Sequence, residues 1–531
     1  RNADVWQIFA PTTWIGDDFA SPRFIMPTMI SGGLAASYLN DDCWPDLVVS
    51  SGWLGTRLLS NRGGQGGFDN ALLNSDVETG RVASIGVADI NGNFRREVVL
   101  GNLHDGNTLI FSRDNDNKHQ QVAALPIDRN TFGIAFGDPF GAGYPSLYLA
   151  HWGEPGIPGR APVFWRNESG ARLSVGDRSV GLGEGDIDQN FNFSPAFVDA
   201  DDDGDQDLLV ASDFRTTFIA QNDGSGSFQL VTDRQVISDE FGMGSAVADV
   251  DNDLKPDWFV TSVGSVEQGA GGEVCTDWSG NRLYRNVSVP GEVLFEDVTS
   301  AAGVGEGGWG WGACAADFNN DGWVDLFHVN GFNELPSTVI DLIQGRSLIE
   351  GLCLGFAASK PKLFLNNGDG TFTDSSTGWN LNEAIDGRSL SCFDYDRDGD
   401  VDVAALNLSR RMHLLENQVG NQPGRRFINV RLQGLSPNTE ALGARVLVSA
   451  DLDGDGEIGP NETQLRISAA NSNYGSQNTP DLHFGLGQSP VISELRVVWP
   501  DGGSELVCNN LAVNQFLVFR QQEGAGTGVC P

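Results

Sequence analysis

The sequence predicts an all-β protein built from seven similar units, and three observations support that prediction. A short acidic loop of one design recurs seven times, with starts 49 to 77 residues apart. Around each copy, a strand of small residues precedes the loop and a strand of large apolar residues follows it. The chain has 531 residues, of which 68 are Gly, a length and turn content that suit a large antiparallel β protein.

Each unit is predicted to contain four short strands. The small-residue strand, such as GGLAAS at 32–37, can run along a crowded central axis because Gly, Ala and Ser allow close backbone approach. The loop then turns the chain outward to the apolar strand. A third strand often ends in Asn, and in three copies a glycine turn leads to a fourth strand opened by Phe. Units of this size with four strands are typical of propellers, so we predict a seven-bladed β-propeller.

The fullest loop, Asp199 to Asp207, indicates what the loops bind. Carboxylates stand at positions 1, 3, 5 and 9, with Gly at position 6. Such a loop directs its carboxylates to one point, where a hard cation such as Ca²⁺ is needed to hold that negative charge together. Four copies keep every ligand position. Their predicted ligands are Asp199, Asp201, Asp203, Asp205 and Asp207; Asp249, Asp251, Asp253 and Asp257; Asp317, Asn319, Asp321 and Asp325; and Asp394, Asp396, Asp398 and Asp402.

The other three copies are depleted in acids. The copy with Asp89, Asn91, Asn93 and Glu97 carries less charge, so we expect weaker binding there. The copies that start at Tyr38 and Asp138 lack several ligand positions, and we expect no ion in them.

A further acidic loop lies outside the repeat, at 451–462. Acids at positions 1, 3, 5 and 12 and Gly at position 6 match the spacing of an EF-hand loop. The flanking segments ARVLVS and TQLRIS are strand-like, which predicts an EF-type loop set in a β-hairpin. Its candidate ligands are Asp451, Asp453, Asp455, Glu457 and Glu462. About five calcium sites are therefore expected, or six if the Asp89 copy binds.

Two groups of motifs resemble a known family. The acidic loops are similar to the FG-GAP/VCBS repeats of integrin-alpha-type propellers, and GWGWGACAADFNNDGWVDLFHVNG at 308–331 resembles the cartilage acidic protein family and its bacterial relatives. The tail segments ALGARV, YGSQ, LHFGLG, LRVVWPDG and NQ follow the ASPIC/UnbV pattern in order. The resemblance implies a secreted, calcium-binding propeller with a small β-sandwich-like domain. It does not imply a settled biochemical activity.

The predicted domains are a propeller over 1–424 and an ASPIC/UnbV domain over 425–531. The seventh unit has no clear fourth strand after Asn417, because the next strand-like segment, 425–434, resembles the start of the tail domain. We therefore expect a segment within residues 4–10 to close the ring as the outer strand of that unit.

Charge and hydropathy limit the partners and the location. A net charge of −38 argues against nucleic acid and anionic membrane surfaces, both of which would repel the protein. There is no run of 18 apolar residues of the kind that spans a bilayer. Because sites of this type need the high calcium found outside cells, we expect a secreted or cell-surface protein, extracellular or periplasmic, whose signal peptide has been removed.

The cysteine spacing suggests a disulfide pattern, although spacing alone also allows other pairings. Two pairs have the same separation of 39 residues. In each pair the first Cys lies in a long insertion and the second lies in the small-residue strand of the next unit. The predicted disulfides are Cys275–Cys314, Cys353–Cys392 and Cys508–Cys530, with Cys43 free.

Two functions of different class are compatible with these features. The first is an extracellular scaffold that binds a glycan or protein partner, or assembles with itself, through insertions at 265–282 and 333–360. The second is a propeller enzyme, such as a polysaccharide lyase or sugar dehydratase, with a site at the channel mouth. The six His show no zinc-motif spacing and there is no nucleophile elbow, so no catalytic residue is assigned and the scaffold is favoured. Trp152, Trp309 and Trp311 could stack on sugar rings or pack between blades.

Overall fold

The computed structural model describes most of the chain. The described residues are 6–7, 32–40, 42–50, 55–63, 67–74, 82–103, 107–127, 129–152, 163–170, 172–176, 179–182, 191–264, 278–331, 359–407, 412–419, 424–500, 504–521 and 527–529.

Nearly all of the described secondary structure is β, as predicted, and one short helix spans Thr299–Ala302. The repeat units form antiparallel sheets in which consecutive strands are neighbours. We number these sheets in chain order. Their strands are, for sheet 1, Leu34–Ser37, Asp46–Ser50, Thr56–Asn61 and Phe68–Leu72; for sheet 2, Val82–Ala88, Glu97–Asn102, Thr108–Arg113 and His119–Leu125; for sheet 3, Asn130–Gly137, Ser146–Trp152, Phe164–Asn167 and Leu173–Val175; for sheet 4, Asn192–Val198, Asp207–Ser212, Phe218–Asn222 and Phe228–Leu230; for sheet 5, Ser245–Ala248, Asp257–Val260, Arg282–Asn286 and Phe295–Asp297; for sheet 6, Gly310–Ala316, Asp325–Asn330, Lys362–Asn366 and Phe372–Asp374; and for sheet 7, Gly387–Phe393, Asp402–Asn407, Met412–Leu415 and Trp6–Gln7.

The first strands of these sheets surround a common axis. Each packs beside the first strand of the next sheet, and that of sheet 7 contacts that of sheet 1, so the sheets close into a propeller. Small residues are required along the axis. A methyl group added at Gly133 would lie 2.0 Å from the carbonyl oxygen of Phe193, and one added at Gly244 would lie 2.1 Å from that of Trp311.

Sheet 7 takes its outer strand from the start of the chain. Trp6 and Gln7 pair antiparallel with Leu414 and His413. The rest of the segment 4–10, in which this strand was expected, lies outside the described residues. The last sheet of the ring is thus completed by a strand that precedes the first sheet in the sequence.

An Asn at the end of the third strand links neighbouring sheets. Asn286 Nδ2 donates to the carbonyl oxygen of Ala200, in the loop of sheet 4, at 2.8 Å and to that of Pro256 at 3.0 Å. Asn61 makes the equivalent bond across the ring closure, to the carbonyl oxygen of Tyr395 at 2.8 Å. The same bond to the preceding sheet recurs at Asn167, Asn222, Asn366 and Asn417.

Replacing Asn286 by Ala should therefore destabilise the propeller. The substitution removes the donor to two carbonyls, and Asn286 itself is buried. Leaving buried carbonyl oxygens without a hydrogen-bond donor in this way lowers the free energy of unfolding by about 2–4 kcal/mol. Thermal unfolding in calcium measures the effect, with the exposed Asn70→Ala as a matched control. Equal melting temperatures for the two variants would show that the link contributes nothing.

The C-terminal strands form two further sheets, which we call the C-terminal module (residues 427–520 and the strand 527–529). One sheet has the order Leu482–Gly485, Phe427–Gln433, Gln515–Arg520, Thr527–Val529; the other has Thr463–Ile467, Arg445–Ser449, Val491–Val498, Glu505–Ala512. Both sheets contribute to one hydrophobic core that includes Ile428, Val446, Phe484 and Trp499. The module thus has a core of its own.

A segment of this module, which we call the tongue (residues 470–479), enters the propeller axis. Its strand Ser476–Gln477 pairs parallel with Leu34–Ala35 of sheet 1. Carbonyl oxygens of the tongue accept hydrogen bonds from the amides of Leu34, Ile85, Phe136 and Ala313, at distances from 3.0 to 3.3 Å. Inner-strand amides of four sheets are thereby satisfied by the tongue.

Tyr474, near the middle of the tongue, is fully buried at the axis. Its ring lies 5.0 Å from that of Phe193, 5.2 Å from that of Trp311 and 6.5 Å from that of Phe132. Beside sheet 5 a cavity of about 180 Å³ remains between the first strand and the module. The axis of the propeller is therefore occupied by packed side chains at this level.

The disulfide prediction was wrong in its pairing. Cys314 and Cys392 bond to each other, with their Cα atoms 6.5 Å apart. They lie on the first strands of sheets 6 and 7, which pack side by side at the axis, so equivalent positions in successive units are neighbours in space. Cys275 and Cys353, their predicted partners, lie outside the described residues.

The other two cysteine assignments were also wrong. Cys508 carries a free, half-buried thiol, so it is not joined to Cys530, which itself lies outside the described residues. Cys43, which was expected to be free, is disulfide-bonded. Among the described residues, no helix is long and apolar enough to span a membrane.

Candidate metal centres

The acidic loops share one hydrogen-bonding scheme that arranges the first carboxylate. Asp199 accepts the amide protons of Asp203 and Gly204, each at 3.2 Å. Asp249 accepts those of Asp253 and Leu254, each at 3.1 Å. The backbone at positions 5 and 6 therefore wraps around the carboxylate at position 1, and position 6 has positive φ, +97° at Gly204 and +69° at Leu254. Leu254 takes the turn that Gly takes in the other complete copies.

The carboxylate at position 9 is fixed from two sides. Asp207 accepts the amide proton of Ala200 at 3.1 Å and that of Asn222 at 2.8 Å. Asp257 is held in the same way by Val250 at 3.0 Å and Asn286 at 2.8 Å. The Asn that joins neighbouring sheets thus also orients the last ligand of its own loop.

In the part of the chain that the structure describes, four groups of acidic side chains have ligand oxygens within 4.8 Å of one another. Three come from the repeat loops and one from the EF-type loop. The groups are Asp199, Asp201 and Asp203; Asp249, Asp251 and Asp257; Asp394, Asp396 and Asp402; and Asp451, Asp453 and Glu462. Each of these could hold a metal ion.

Buried oxygens in these loops have no hydrogen-bond partner. Within the described part of the chain, this holds for the Oδ1 atoms of Asp201, Asp205, Asp251, Asp394 and Asp396. A buried carboxylate oxygen without a partner costs free energy that a coordinated cation would recover. The donor set is entirely oxygen, which fits a hard divalent cation such as Ca²⁺.

The electrostatics of the loops favour a bound cation. Burial, followed by the negative charge of Asp203, raises the pKa of Asp205 to about 7. Burial raises the pKa of Asp249 to about 7, and the carboxylates of Asp251 and Asp253 add to the shift. Burial and Asp398 hold the pKa of Asp394 well above its ordinary value. These carboxylates are therefore costly to keep ionised together unless a cation joins them.

The copy at Asp317 contains Asn319 and so has one carboxylate fewer. Asp317 accepts the amide proton of Gly322 at 2.7 Å and that of Asp321 at 3.1 Å. Burial and the charge of Asp321 raise the pKa of Asp317 to about 7, and the buried Oδ1 of Asn319 has no hydrogen-bond partner in the described structure. The four predicted ligand positions are thus built on the same scheme as in the other complete copies.

In the depleted Asp89 copy, side chains donate hydrogen bonds to the carboxylate oxygens, whereas the complete copies contain carboxylate oxygens without a hydrogen-bond partner among the described residues. Asp89 accepts amide protons from Gly92 at 2.9 Å and Asn93 at 3.1 Å, and the hydroxyl of Thr439 at 2.6 Å. Asn91 Nδ2 donates to Glu97 Oε1 at 2.8 Å. Asp138 accepts two amide protons in the same manner. Hydrogen bonds thus meet the first carboxylate of these loops, while burial still raises the pKa of Glu97 to about 7 and that of Asp138 above its ordinary value.

The EF-type loop lies in the hairpin formed by the paired strands Arg445–Ser449 and Thr463–Ile467. Glu462 Oε1 accepts the amide protons of Leu452 at 2.7 Å and Asp453 at 3.1 Å. Asp455 and Glu457 point into solvent and stand apart from the group formed by Asp451, Asp453 and Glu462. The bonds from Leu452 and Asp453 hold Glu462, the last position of the loop, against the first residues of the loop.

The three tryptophans considered for sugar stacking are buried, and so are two charged or titratable side chains, Arg388 and His483. Trp152, Trp309 and Trp311 are 8%, 9% and 2% exposed. Arg388 is fully buried over the Trp311 ring, 4.4 Å from its centroid, and donates to Asp386. His483 is held between Asn320 and Asn429, and burial lowers its pKa to about 3. The tryptophan faces are therefore engaged in packing.

Comparison with known proteins identifies both parts of the chain. The family model for the FG-GAP-like repeat matches residues 199–260 and 352–405, and the model for ASPIC and UnbV matches residues 434–526. The chain carries FG-GAP-like repeats followed by an ASPIC/UnbV domain. The matched repeats include the acidic loops at Asp199, Asp249 and Asp394, and the ASPIC/UnbV match includes the tongue and the EF-type loop.

Full-length relatives and solved structures extend this comparison. Cartilage acidic protein 1 from Mus musculus is 24% identical over 525 residues, covering 90% of this chain and 71% of the relative. The Homo sapiens protein of that name is 24% identical over 545 residues, covering 92% of this chain and 71% of the relative. An ancestral GH74 enzyme has a TM-score of 0.40 at 13% identity, covering 78% of this chain and 46% of its own. Bacillus licheniformis rhamnogalacturonan lyase PL11 has a TM-score of 0.28 at 13% identity, with coverages of 73% and 90%.

Proposed function

We propose that this protein is a secreted or cell-surface calcium-binding scaffold. Its ion-stabilised loops would hold the propeller rigid while it binds an extracellular glycan or protein partner, or further copies of itself. The observation that carries the proposal is the set of acidic groups, each with its ligand oxygens within 4.8 Å and most with an oxygen that lacks a partner.

Several features support calcium outside the cell. The candidate ligands of each site are all oxygens and come from one short loop. This suits Ca²⁺, which takes six to eight oxygens at about 2.3–2.6 Å. Sites of this kind are filled at the millimolar calcium of extracellular fluids. The Cys314–Cys392 disulfide is consistent with an oxidising compartment. About five ions are proposed, one for each complete copy and one for the EF-type loop.

The scaffold is preferred to an enzyme because of what occupies the axis. A propeller enzyme of the alternative class would need an open site at the channel mouth. Here the tongue places Tyr474 among Phe132, Phe193 and Trp311. The insertions expected to form a recognition face, 265–282 and 333–360, lie largely outside the described residues, so partner binding by them stays a prediction.

Calcium counting tests the first half of the proposal. Isothermal titration calorimetry and native mass spectrometry of the chelator-treated chain should show uptake of about five ions. Asp394→Asn should remove one ion, because Asp394 is the first ligand of its loop, whereas Asp138→Asn should leave the number unchanged. No uptake at millimolar calcium would refute the proposal.

Binding assays test the second half. Sedimentation velocity and glycan or matrix-protein arrays should show self-association or retention in calcium that is lost in chelator. Turnover of a polysaccharide or sugar by the pure protein, without stable binding or assembly, would favour the enzyme instead.

A further inference from the structure

The C-terminal module touches all seven loops of the repeat, whether or not they keep their acids. Most of the contacts are hydrogen bonds, ion pairs or other close polar contacts. Thr439 Oγ1 donates to Asp89 Oδ2 at 2.6 Å, Asn252 Nδ2 donates to the carbonyl oxygen of Asn461 at 2.9 Å, and His483 Nε2 lies 2.6 Å from Asn320 Oδ1. The remaining contacts are Arg431 over the Tyr38 ring, Pro437 against Gly143, Arg445 with Asp202, and Asn429 with Asp394.

Position 4 of the loop provides much of this surface. In the complete copies it is Asp202, Asn252, Asn320 or Arg397, each in the left-handed region with φ between +54° and +60°. Position 4 supplies no metal ligand, and its side chain contacts the module in every case; Arg397 lies 4.2 Å from the centroid of the Phe516 ring. Because positions 3 and 5 are ligands, the direction of the side chain between them depends on the loop being wrapped around its ion.

The module also lies directly on first-position carboxylates. A methyl group at Gly485 would be 2.0 Å from Asp317 Oδ2, so the backbone of the module is pressed against that ligand. Asn429 Nδ2 donates to Asp394 Oδ2 at 3.3 Å. Arg466 is buried in the same interface, where Asp317 and Asp249 attract its charge. Without ions, the interface would bury several like charges, which Arg466 beside Asp317 and Asp249 and Arg445 beside Asp199 offset only in part.

We propose that the calcium-loaded loops are the docking platform of the C-terminal module, so that calcium controls whether the tongue occupies the propeller axis. The inference rests on the proposed function, because it requires the loops to bind calcium. Removing the ions frees the position-4 side chains and leaves the carboxylates under the module with only Arg466 and Arg445 to offset their charge. The module then separates from the loops and the tongue leaves the axis, which opens the channel.

Hydrogen exchange of the full chain tests this directly. The amides of Ile85 and Phe136 donate to tongue carbonyls at 3.1 and 3.0 Å, so their protection reports on docking. In chelator their exchange should accelerate at least tenfold, whereas the amide of Leu209, which lies in a second strand paired with Ile219, should stay protected. Unchanged protection of Ile85 and Phe136 under conditions where calorimetry shows that calcium has been lost overturns the inference and leaves the proposed function intact. If calorimetry shows no calcium uptake at all, both fall.

A double variant separates docking from metal binding. Asn252→Gly with Asn320→Gly keeps the left-handed backbone and removes side chains that meet the module. The same side chains donate to the carbonyl oxygens of Gly322 and Gly399 in the next loops, so protection of Leu209 in the variant reports on the propeller itself. Calcium stoichiometry should stay native, while exchange at Ile85 and Phe136 in calcium should become about tenfold faster, the effect of about 1.4 kcal/mol. The matched control is Asn380→Gly, an exposed left-handed Asn of the propeller with φ +61°.

A second variant, with its substitution in the module, tests docking independently in case the double variant does not fold. Arg445→Met, on the module side, removes the ion pair with Asp202 and the bond to the carbonyl oxygen of Leu254 without touching a metal ligand. It should accelerate exchange at the same two amides. Native exchange rates at Ile85 and Phe136 in both variants would overturn the inference.

Discussion

Removal of calcium is expected to lower the melting temperature of this protein by about 10 °C. At free calcium one hundred times the dissociation constant, each site stabilises the folded chain by about 2.7 kcal/mol, so four or five sites contribute about 11–14 kcal/mol. An unfolding entropy of about 2.1 cal/mol/K per residue amounts to roughly 1 kcal/mol/K for a chain of this size. Loss of the ions also leaves oxygens such as Asp251 Oδ1 and Asp396 Oδ1 buried without partners.

Scanning calorimetry in calcium and in excess chelator measures this difference. Asp317→Asn should reduce the difference by about one fifth, because it removes the first ligand of one of about five sites. Asp138→Asn is the control, since the later ligand positions of its loop are Phe140, Ala142 and Ser146, and the difference should remain that of the native chain. Identical melting curves in calcium and chelator would show that the loops hold no stabilising ion.

Truncation of the tongue at its centre, Tyr474→Ala, is expected to cost about 3–5 kcal/mol in the free energy of unfolding. Tyr474 is fully buried and its ring contacts those of Phe132, Phe193 and Trp311, which belong to different sheets. A cavity at the axis cannot close by moving one neighbour, because each ring is carried on a strand fixed in the propeller. The free energy of the lost packing should therefore be seen in full as a lower midpoint of unfolding.

Denaturant unfolding in saturating calcium provides the measurement. Phe214→Ala removes an aromatic ring that is 42% exposed and should cost much less than the change at Tyr474. Calcium stoichiometry should be native in both variants, since neither residue belongs to an acidic loop. A cost below about 1 kcal/mol for Tyr474→Ala would mean that the tongue is not packed into the axis in solution.

Features confined to one unit could be derived from sequence alone. Ligand spacing in a loop such as Asp199–Asp207 is local, and the structure shows the loop wrapped around its first carboxylate by backbone bonds. The all-β repeat and the EF-type loop in a hairpin follow from similarly short patterns. The recurring Asn at the end of the third strand was also visible, but its bond to the preceding sheet was not, because the acceptor is a backbone carbonyl far away in the sequence.

Contacts between units were decided by the closed ring. The equal spacing of two cysteine pairs predicted a disulfide within each pair. In the structure the first strands of neighbouring sheets pack side by side, and Cys314 bonds to Cys392 instead. Nothing in the segment 470–479 signals that it enters an axis, since its partners come from strands more than 80 residues away in the sequence. The position-4 residues look like ordinary loop residues until the module is placed on them. Local spacing therefore specifies the candidate ion sites, and only the folded ring specifies what lies against them, because that depends on distances that no short sequence pattern encodes.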